Sequence, residues 1–251
     1  MLDHAAHQAW GLHGLLPQSA PRLMALASHG SQQDELPLLW ALCATLVRLG
    51  YSVAVLDGTT TETDRNPGLL QLLEDTCWRP DGHGEPMSWS VLPSARGLQR
   101  LCTLPDGAEG ALDPLSPLFQ NYGVVVLYAR AGMLVPLLQG SAVEPLLAVS
   151  AQAMSPVTAY QALKALVLKA QLKPTLAAIG PEPGDEGADK GHAAAQKLQT
   201  CAMTFLGYQA DCQALAATHT MDGASEPMSR LALRLLESAV ALPRKHWAGV
   251  R

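Results

Sequence analysis

Apolar and polar positions near the start of the chain follow the order expected of a βαβ unit. Residues 23–27 are apolar, and a polar turn separates them from a largely apolar helical segment over residues 36–49. Gly50 ends that segment, and a β-branched run over residues 52–56 leads to Asp57. A strand, a loop, a helix and a second strand in this order open a parallel α/β sheet.

The same alternation continues along the rest of the chain. We predict strands over residues 88–93, 124–127, 144–150 and 173–179, and helices over residues 68–76, 97–101, 155–166, 192–205 and 226–242. Residues 104–117, which are rich in Pro, Gly and Asp, predict a loop or an insertion. Strands that alternate with helices predict an α/β fold with a doubly wound, mainly parallel sheet and flanking helices.

The length and composition fit one such domain. The chain has 251 residues, 48% of them hydrophobic, which is enough to bury a sizeable core. We place the α/β domain at residues 22–251 and treat residues 1–21 as a separate N-terminal segment. Four apolar residues form one stripe on the last predicted helix: Met228, Leu231, Leu235 and Val240. Packing on the core is favoured for this stripe, and contact with a membrane surface is the alternative.

Charge and cysteine content exclude several classes of function. The net charge of −5 argues against nucleic acid as a main partner, because such binding relies on basic patches. The five cysteines show neither a CxxC pair nor a Cys/His ligand spacing, so we expect no metal site. The sequence lacks a signal peptide and any apolar run of about 18 residues, which predicts a soluble, cytoplasmic protein. His29 and His83 each stand alone in a predicted loop, and we expect both to be solvated.

Residues 27–50 resemble, without a gap, the opening of the MinD/ParA family of P-loop ATPases. In that family a loop of the form SGKGGVGKT follows the first strand, and the second strand ends in Asp, as Asp57 does here. Two later stretches are also similar to the family: VLPSARGL at residues 91–98 and SPVTAYQALKAL at residues 155–166. The resemblance implies a MinD-like P-loop NTPase fold.

The resemblance also implies that the nucleotide chemistry is lost. The loop positions are occupied by Ser28, His29, Gly30, Ser31, Gln32, Gln33, Asp34, Glu35 and Leu36. Glu35 stands in place of the phosphate-binding Lys, and Leu36 in place of the Mg²⁺-binding Thr. Tyr128 takes the position of the Walker B Asp, and Gly180 that of the Asn that contacts the base. Carboxylates at the start of a helix suit its dipole but repel a triphosphate.

We therefore expect no catalytic residue, no bound ATP and no Mg²⁺. Asp57 is retained, and we interpret it as a cap for Thr59 or Thr60. The alternative is an active or weakly active ATPase with a rearranged loop. Its nearby polar candidates are Ser28, Ser31, Gln32 and Asp57.

The N-terminal segment contains the run HQAWGLH at residues 7–13. This run is similar to the DQAxGLR motif of the flagellar regulators of FlhG (FleN) type within the MinD-like group. It retains Gln8, Ala9, Gly11 and Leu12, which the resemblance assigns to binding and stimulating the signal-recognition-type GTPase FlhF. The alternative is a helix that packs Trp10 and Leu12 on the domain.

Taken together, these patterns predict an FlhG-like pseudo-ATPase that regulates flagellar number or placement through protein contacts. A degenerate positioning factor for division, cellulose secretion or pilus placement is the alternative. We expect a cytoplasmic protein that is recruited to the inner face of the membrane or to a cell pole.

Overall fold

A computed structural model describes residues 20–75, 89–104, 110–180, 188–216 and 225–242. The N-terminal motif residues Gln8, Ala9, Gly11 and Leu12 lie outside the described residues, as does His83.

Strands and helices alternate along the described chain. The strands are β1 Arg22–Ser28, β2 Val53–Asp57, β3 Trp89–Pro93, β4 Val124–Arg130, β5 Leu146–Ser150, β6 Thr175–Gly180, β7 Cys212–Ala216 and β8 Val240–Ala241. The helices are α1 Gln32–Arg48, α2 Leu69–Glu74, α3 Ala95–Cys102, α4 Leu115–Phe119, α5 Ala131–Leu138, α6 Ser155–Ala170, α7 Ala188–Leu206 and α8 Glu226–Ser238.

The eight strands of the described chain form one sheet. Seven of them lie in the order β3-β2-β4-β1-β5-β6-β7 with parallel neighbours, and β8 pairs antiparallel with β1. β1 and β4 are paired along their whole length, from Arg22 opposite Val124 to Ser28 opposite Arg130. Both strands are apolar on both faces, as central strands of a parallel sheet must be. The predicted α/β fold is confirmed.

Helices cover the two faces of the sheet and divide the core into two layers. α1 and α8 pack on one face, and the other described helices supply the opposite layer. Met228, Leu231 and Leu235 are buried, which confirms that the stripe on the last helix packs on the core. The helix ends at Ser238 and not at residue 242, and Val240 belongs to β8. No helix within the described residues is long and apolar enough to span a membrane.

The prediction that residues 104–117 form only a loop or insertion was wrong in part. The short helix α4 begins at Leu115, and three apolar side chains four residues apart, those of Ala111, Leu115 and Phe119, are buried in the core. This spacing is that of one helical face. The Pro and Gly residues around it conceal the pattern in the sequence.

Glu62 lies after β2 and joins the starts of two helices. It is 1% exposed, and its Oε1 accepts hydrogen bonds from the backbone N–H groups of Gly97 at 2.8 Å and Leu70 at 3.3 Å. Its Oε2 accepts one from Arg96 N–H at 2.8 Å. N–H groups in the first turn of a helix have no partner within that helix, so a carboxylate satisfies them. Glu62 thereby holds α2 against α3.

The two helices approach so closely at this point that residue 97 must be glycine. A Cβ atom there would lie 2.6 Å from Cγ of Leu69, well inside van der Waals contact. The contact between α2 and α3 therefore depends on the hydrogen bonds of Glu62 and on the lack of a side chain at Gly97.

Replacing Glu62→Gln is expected to lower the free energy of unfolding by about 1.5–3 kcal/mol, because the amide nitrogen cannot accept and leaves buried N–H groups without a partner. Urea denaturation measures the loss. Glu74→Gln is the matched control, since Glu74 is 54% exposed and pairs with an exposed Arg100. Glu74→Gln should lower the free energy of unfolding by about 1 kcal/mol or less. Equal losses of unfolding free energy in the two variants would contradict the role of Glu62 in joining α2 and α3.

Candidate functional site

The site expected to bind a ligand in this topology lies at the carboxyl ends of β1 and β4. From β1 the chain crosses towards the β3 side of the sheet, and from β4 it crosses towards the β7 side. Ligands in open α/β sheets bind outside the carboxyl ends of the strands where the direction reverses. The loop between β1 and α1, residues 29–31, lies at this point.

Glu35 fills this loop with its own carboxylate. The side chain is 0% exposed and turns back from the first turn of α1. Its Oε1 accepts hydrogen bonds from the backbone N–H groups of His29 at 2.9 Å and Ser31 at 3.1 Å. Backbone N–H groups of this kind cradle phosphate in a P-loop. Here they are used by a side chain from the first turn of the helix that follows the loop.

Gly30 gives the loop the bend that this contact needs. Its φ is +99°, in the region that favours glycine over other residues. The bend lies between His29 and Ser31 and allows the N–H groups on both sides to reach one oxygen atom. Successive N–H groups around such a turn form a concave anion-binding surface.

Tyr128 of β4 is the third donor to the Glu35 carboxylate. It is fully buried on the α1 face of the sheet, and its hydroxyl donates to Oε2 of Glu35 at 2.7 Å. Burial, and next the hydrogen bond with Glu35, raise the pKa of Tyr128 above its ordinary value. The phenol therefore keeps its proton and remains a donor. The two residues at the Lys and Asp positions of the MinD/ParA resemblance thus bind each other.

The side chain of His29 is buried, and the expectation that it is solvated was wrong. Its side chain is 1% exposed, and its Nε2 lies 2.8 Å from the carbonyl oxygen of Ala148 and 3.5 Å from Oε1 of Glu35. Because a carbonyl can only accept, Nε2 carries a proton. Nδ1 lies 2.8 Å from Oγ1 of Thr158 in α6. The sequence conceals this environment, because β5 and α6 follow His29 by more than a hundred residues.

Asp34 ties the same loop to the end of β5. Its Oδ2 accepts hydrogen bonds from the hydroxyl groups of Ser31 and Ser150, each at 2.6 Å. The backbone N–H of Ser150 in turn donates to Oγ of Ser155 at 3.0 Å. The loop is therefore linked to β5 and, through it, to the start of α6.

Among the described residues, the remaining predicted site residues form neither a hydrogen bond nor an ion pair with Glu35. Asp57 caps its own turn, as predicted: it accepts from Thr59 N–H at 2.8 Å and from the hydroxyl groups of Thr59 and Thr60 at 2.6 Å. Gln32, Gln33 and Leu36 are exposed on the first turns of α1. Ser28 is buried at the end of β1.

These residues do not fit a nucleoside triphosphate with Mg²⁺. The N–H groups of His29 and Ser31 already bind a carboxylate, and a phosphate at the same place would meet its negative charge. Leu36 offers no hydroxyl, and Tyr128 offers no carboxylate to a metal ion. Within the described ranges, no group of three or more His, Cys, Asp or Glu side chains could hold a metal ion.

Comparison with known proteins gives similar solved structures. No protein-family model and no curated protein sequence matches this chain. The MinC:MinD cell division protein complex of Aquifex aeolicus contains a chain with 12% identity and a TM-score of 0.56, over 88% of this chain and 98% of that one. McdA of Cyanothece with ATP has 14% identity and a TM-score of 0.57, over 88% and 94%.

An enzyme is among the similar structures as well. Cobyrinic acid a,c-diamide synthase of Mycobacterium smegmatis has 15% identity and a TM-score of 0.54, over 86% of this chain and 94% of that one. At these identities the likeness concerns the fold. The chain has the MinD-like P-loop NTPase fold that the sequence predicted.

Replacing Tyr128→Phe is expected to lower the free energy of unfolding by about 1.5–3 kcal/mol, since it removes a hydrogen bond to a buried carboxylate. Chemical denaturation measures this loss. Tyr122→Phe is the matched control, because the Tyr122 hydroxyl donates to the neutral Ser90 hydroxyl at 3.2 Å. Tyr122→Phe should lower the free energy of unfolding by about 1 kcal/mol or less.

The pH dependence of the same pair gives a second readout. Because the pKa of Tyr128 is raised in the folded chain, its stabilisation is complete below the ordinary tyrosine pKa of about 10 and declines above it. The stability difference between the wild type and Tyr128→Phe should therefore shrink above pH 10. A difference that grows there would contradict the assigned hydrogen bond.

Proposed function

We propose that this chain is a pseudo-ATPase of FlhG type that regulates flagellar number or placement through protein contacts. The observation that carries the loss of ATPase activity is the buried carboxylate of Glu35 on the backbone N–H groups of its own loop. ATP would have to displace this carboxylate, together with its hydrogen bond from Tyr128. Without a nucleotide cycle, the fold serves as a binding module.

The charge around the loop supports the same proposal. Asp34 and Glu35 place two carboxylates in the first turn of α1, where a triphosphate would need positive charge. His29 is the only basic side chain with a hydrogen bond or ion pair to Glu35 among the described residues, and it is held by Ala148 and Thr158. With two carboxylates and one histidine around the loop, the local charge repels an anion of high charge such as a triphosphate.

The partner is assigned through the N-terminal motif. Gln8, Ala9, Gly11 and Leu12 match the segment with which FlhG-type regulators bind the GTPase FlhF. A fold of this kind is found in a protein complex in the case of MinC and MinD of Aquifex aeolicus, which supports a role in protein binding. We place this interaction in the cytoplasm, at the inner face of the membrane or at a cell pole.

Isothermal titration calorimetry with ATP or ADP and Mg²⁺ tests the loss of nucleotide binding. We expect no saturable heat at nucleotide concentrations up to the millimolar range, and no shift in melting temperature, because Glu35 already occupies the N–H groups. An active MinD-type ATPase under the same conditions is the positive control. Saturable binding would contradict the proposal and favour the enzyme alternative, with Ser28, Ser31, Gln32 and Asp57 as its candidates.

Removal of residues 1–17 tests the partner assignment. The truncated chain should keep its circular dichroism spectrum and lose stimulation of the cognate FlhF-type GTPase. In the full chain, Gln8→Ala with Leu12→Ala should weaken stimulation, and Gln18→Ala, outside the motif, is the control. Undiminished GTPase stimulation by the truncated chain would overturn the assignment, whatever the outcome of the nucleotide titration.

A further inference from the structure

The Glu35 carboxylate has the complete set of contacts that a bound anion would have. Both oxygen atoms are used: Oε1 by the N–H groups of His29 and Ser31, and Oε2 by the hydroxyl of Tyr128. The His29 imidazole stands 3.5 Å from Oε1. A carboxylate removed from water is tolerated only when donors or an opposite charge satisfy it. Here its hydrogen-bond partners are three donors, and its ion-pair partner is a basic ring.

This arrangement is more than an ordinary helix cap. In a capping box an acidic side chain in the first turn accepts one backbone N–H group, that of the capping residue. Glu35 accepts that of Ser31, which precedes α1, and also that of His29, two residues further upstream. It accepts in addition from Tyr128, on a different strand and 93 residues away. A cap would require neither of the latter two contacts.

The same carboxylate connects parts of the fold that are otherwise separate. Tyr128 links it to β4, and His29 links it to β5 through Ala148 and to α6 through Thr158. Asp34 adds a second link from the loop to β5 through Ser150. One anion at this place therefore sets the position of the loop relative to three elements of the carboxyl edge.

We infer that Glu35 is a built-in anionic ligand of its own loop, and that the loop with Tyr128 and His29 is an anion-binding site that the chain fills itself. The inference deepens the proposed pseudo-ATPase function and rests on it. The carboxylate keeps the loop in one conformation with no small molecule present. Removing it leaves a site for a small oxyanion, such as a free carboxylate or inorganic phosphate.

Amide hydrogen exchange measured by NMR on the full chain tests the internal ligand. Glu35→Gln should speed exchange of the His29 and Ser31 amide protons at least about tenfold, and should shift both resonances, because the donors lose a charged acceptor. Glu62→Gln is the matched control: Glu62 is another buried carboxylate on backbone N–H groups, and its donors are Leu70, Arg96 and Gly97 of other elements. Exchange that is unchanged in Glu35→Gln, or equally faster in both variants, would overturn the inference.

Tyr128→Phe keeps the test decisive if Glu35→Gln does not fold. It leaves the carboxylate in place and removes one donor, so the His29 and Ser31 amide resonances should move away from their wild-type positions. Resonances that do not move would overturn the inference.

Glu35→Ala tests the anion site directly. Titration with sodium acetate or inorganic phosphate, at constant ionic strength, should return the His29 and Ser31 resonances towards their wild-type positions in a saturable way. The wild type should show no saturable change. A response to acetate or to phosphate distinguishes a carboxylate site from a phosphate site, and no saturable response to either overturns the inference. ATP binding to the wild type, by contrast, would contradict the proposed function. The hydrogen-exchange result would still decide whether Glu35 is the ligand of the loop in the nucleotide-free chain.

Discussion

A carboxylate that is buried away from water requires hydrogen-bond donors. At the carboxyl edge of the sheet, the side chains and loops around Glu35 are arranged to supply them. The donors come from the loop after β1 and from β4, and the histidine beside them is held by β5 and α6. Each partner is itself buried or fixed by a second contact. A change at any one of them leaves a buried polar group without its partner, which is why the positions depend on each other.

Glu35 and Tyr128, which stand at the Lys and Walker B Asp positions of the MinD/ParA resemblance, are therefore complementary. A Glu in place of a Lys reverses the charge at the loop, and a Tyr in place of an Asp removes a negative charge and supplies a hydroxyl donor 2.7 Å away. An Asp at position 128 would set two carboxylates against each other in a buried space, which is unfavourable because like charges there are poorly screened by solvent. Glu35 and Tyr128 form a consistent pair only together.

Much of the fold could be predicted from the sequence, since the strands are marked by apolar runs such as Val124–Val125–Val126 and the loops by Gly and Pro. The start of α1 could not, because its first turn, from Gln32 to Glu35, is polar and carries no apolar pattern. The cap at Asp57 was predictable because its partners are two and three residues away. The environment of His29 was not, because its partners Ala148 and Thr158 are distant in sequence. The contact between Glu35 and Tyr128 was not predicted either, because the two residues are 93 positions apart.

The antiparallel strand β8 has a mechanical consequence. Leu242 N–H donates to the carbonyl oxygen of Pro21 at 2.8 Å, so the chain enters and leaves the described domain side by side, at the end of β1 opposite to Glu35. A pull on the N-terminal segment would act along β1, a central strand held by β4, β5 and β8 at once. Hydrogen bonds loaded along a strand share the force and must break together. A partner that pulls on residues 1–19 would thus act on a strand that pairs with three others, about 20 Å from the loop that Glu35 fills.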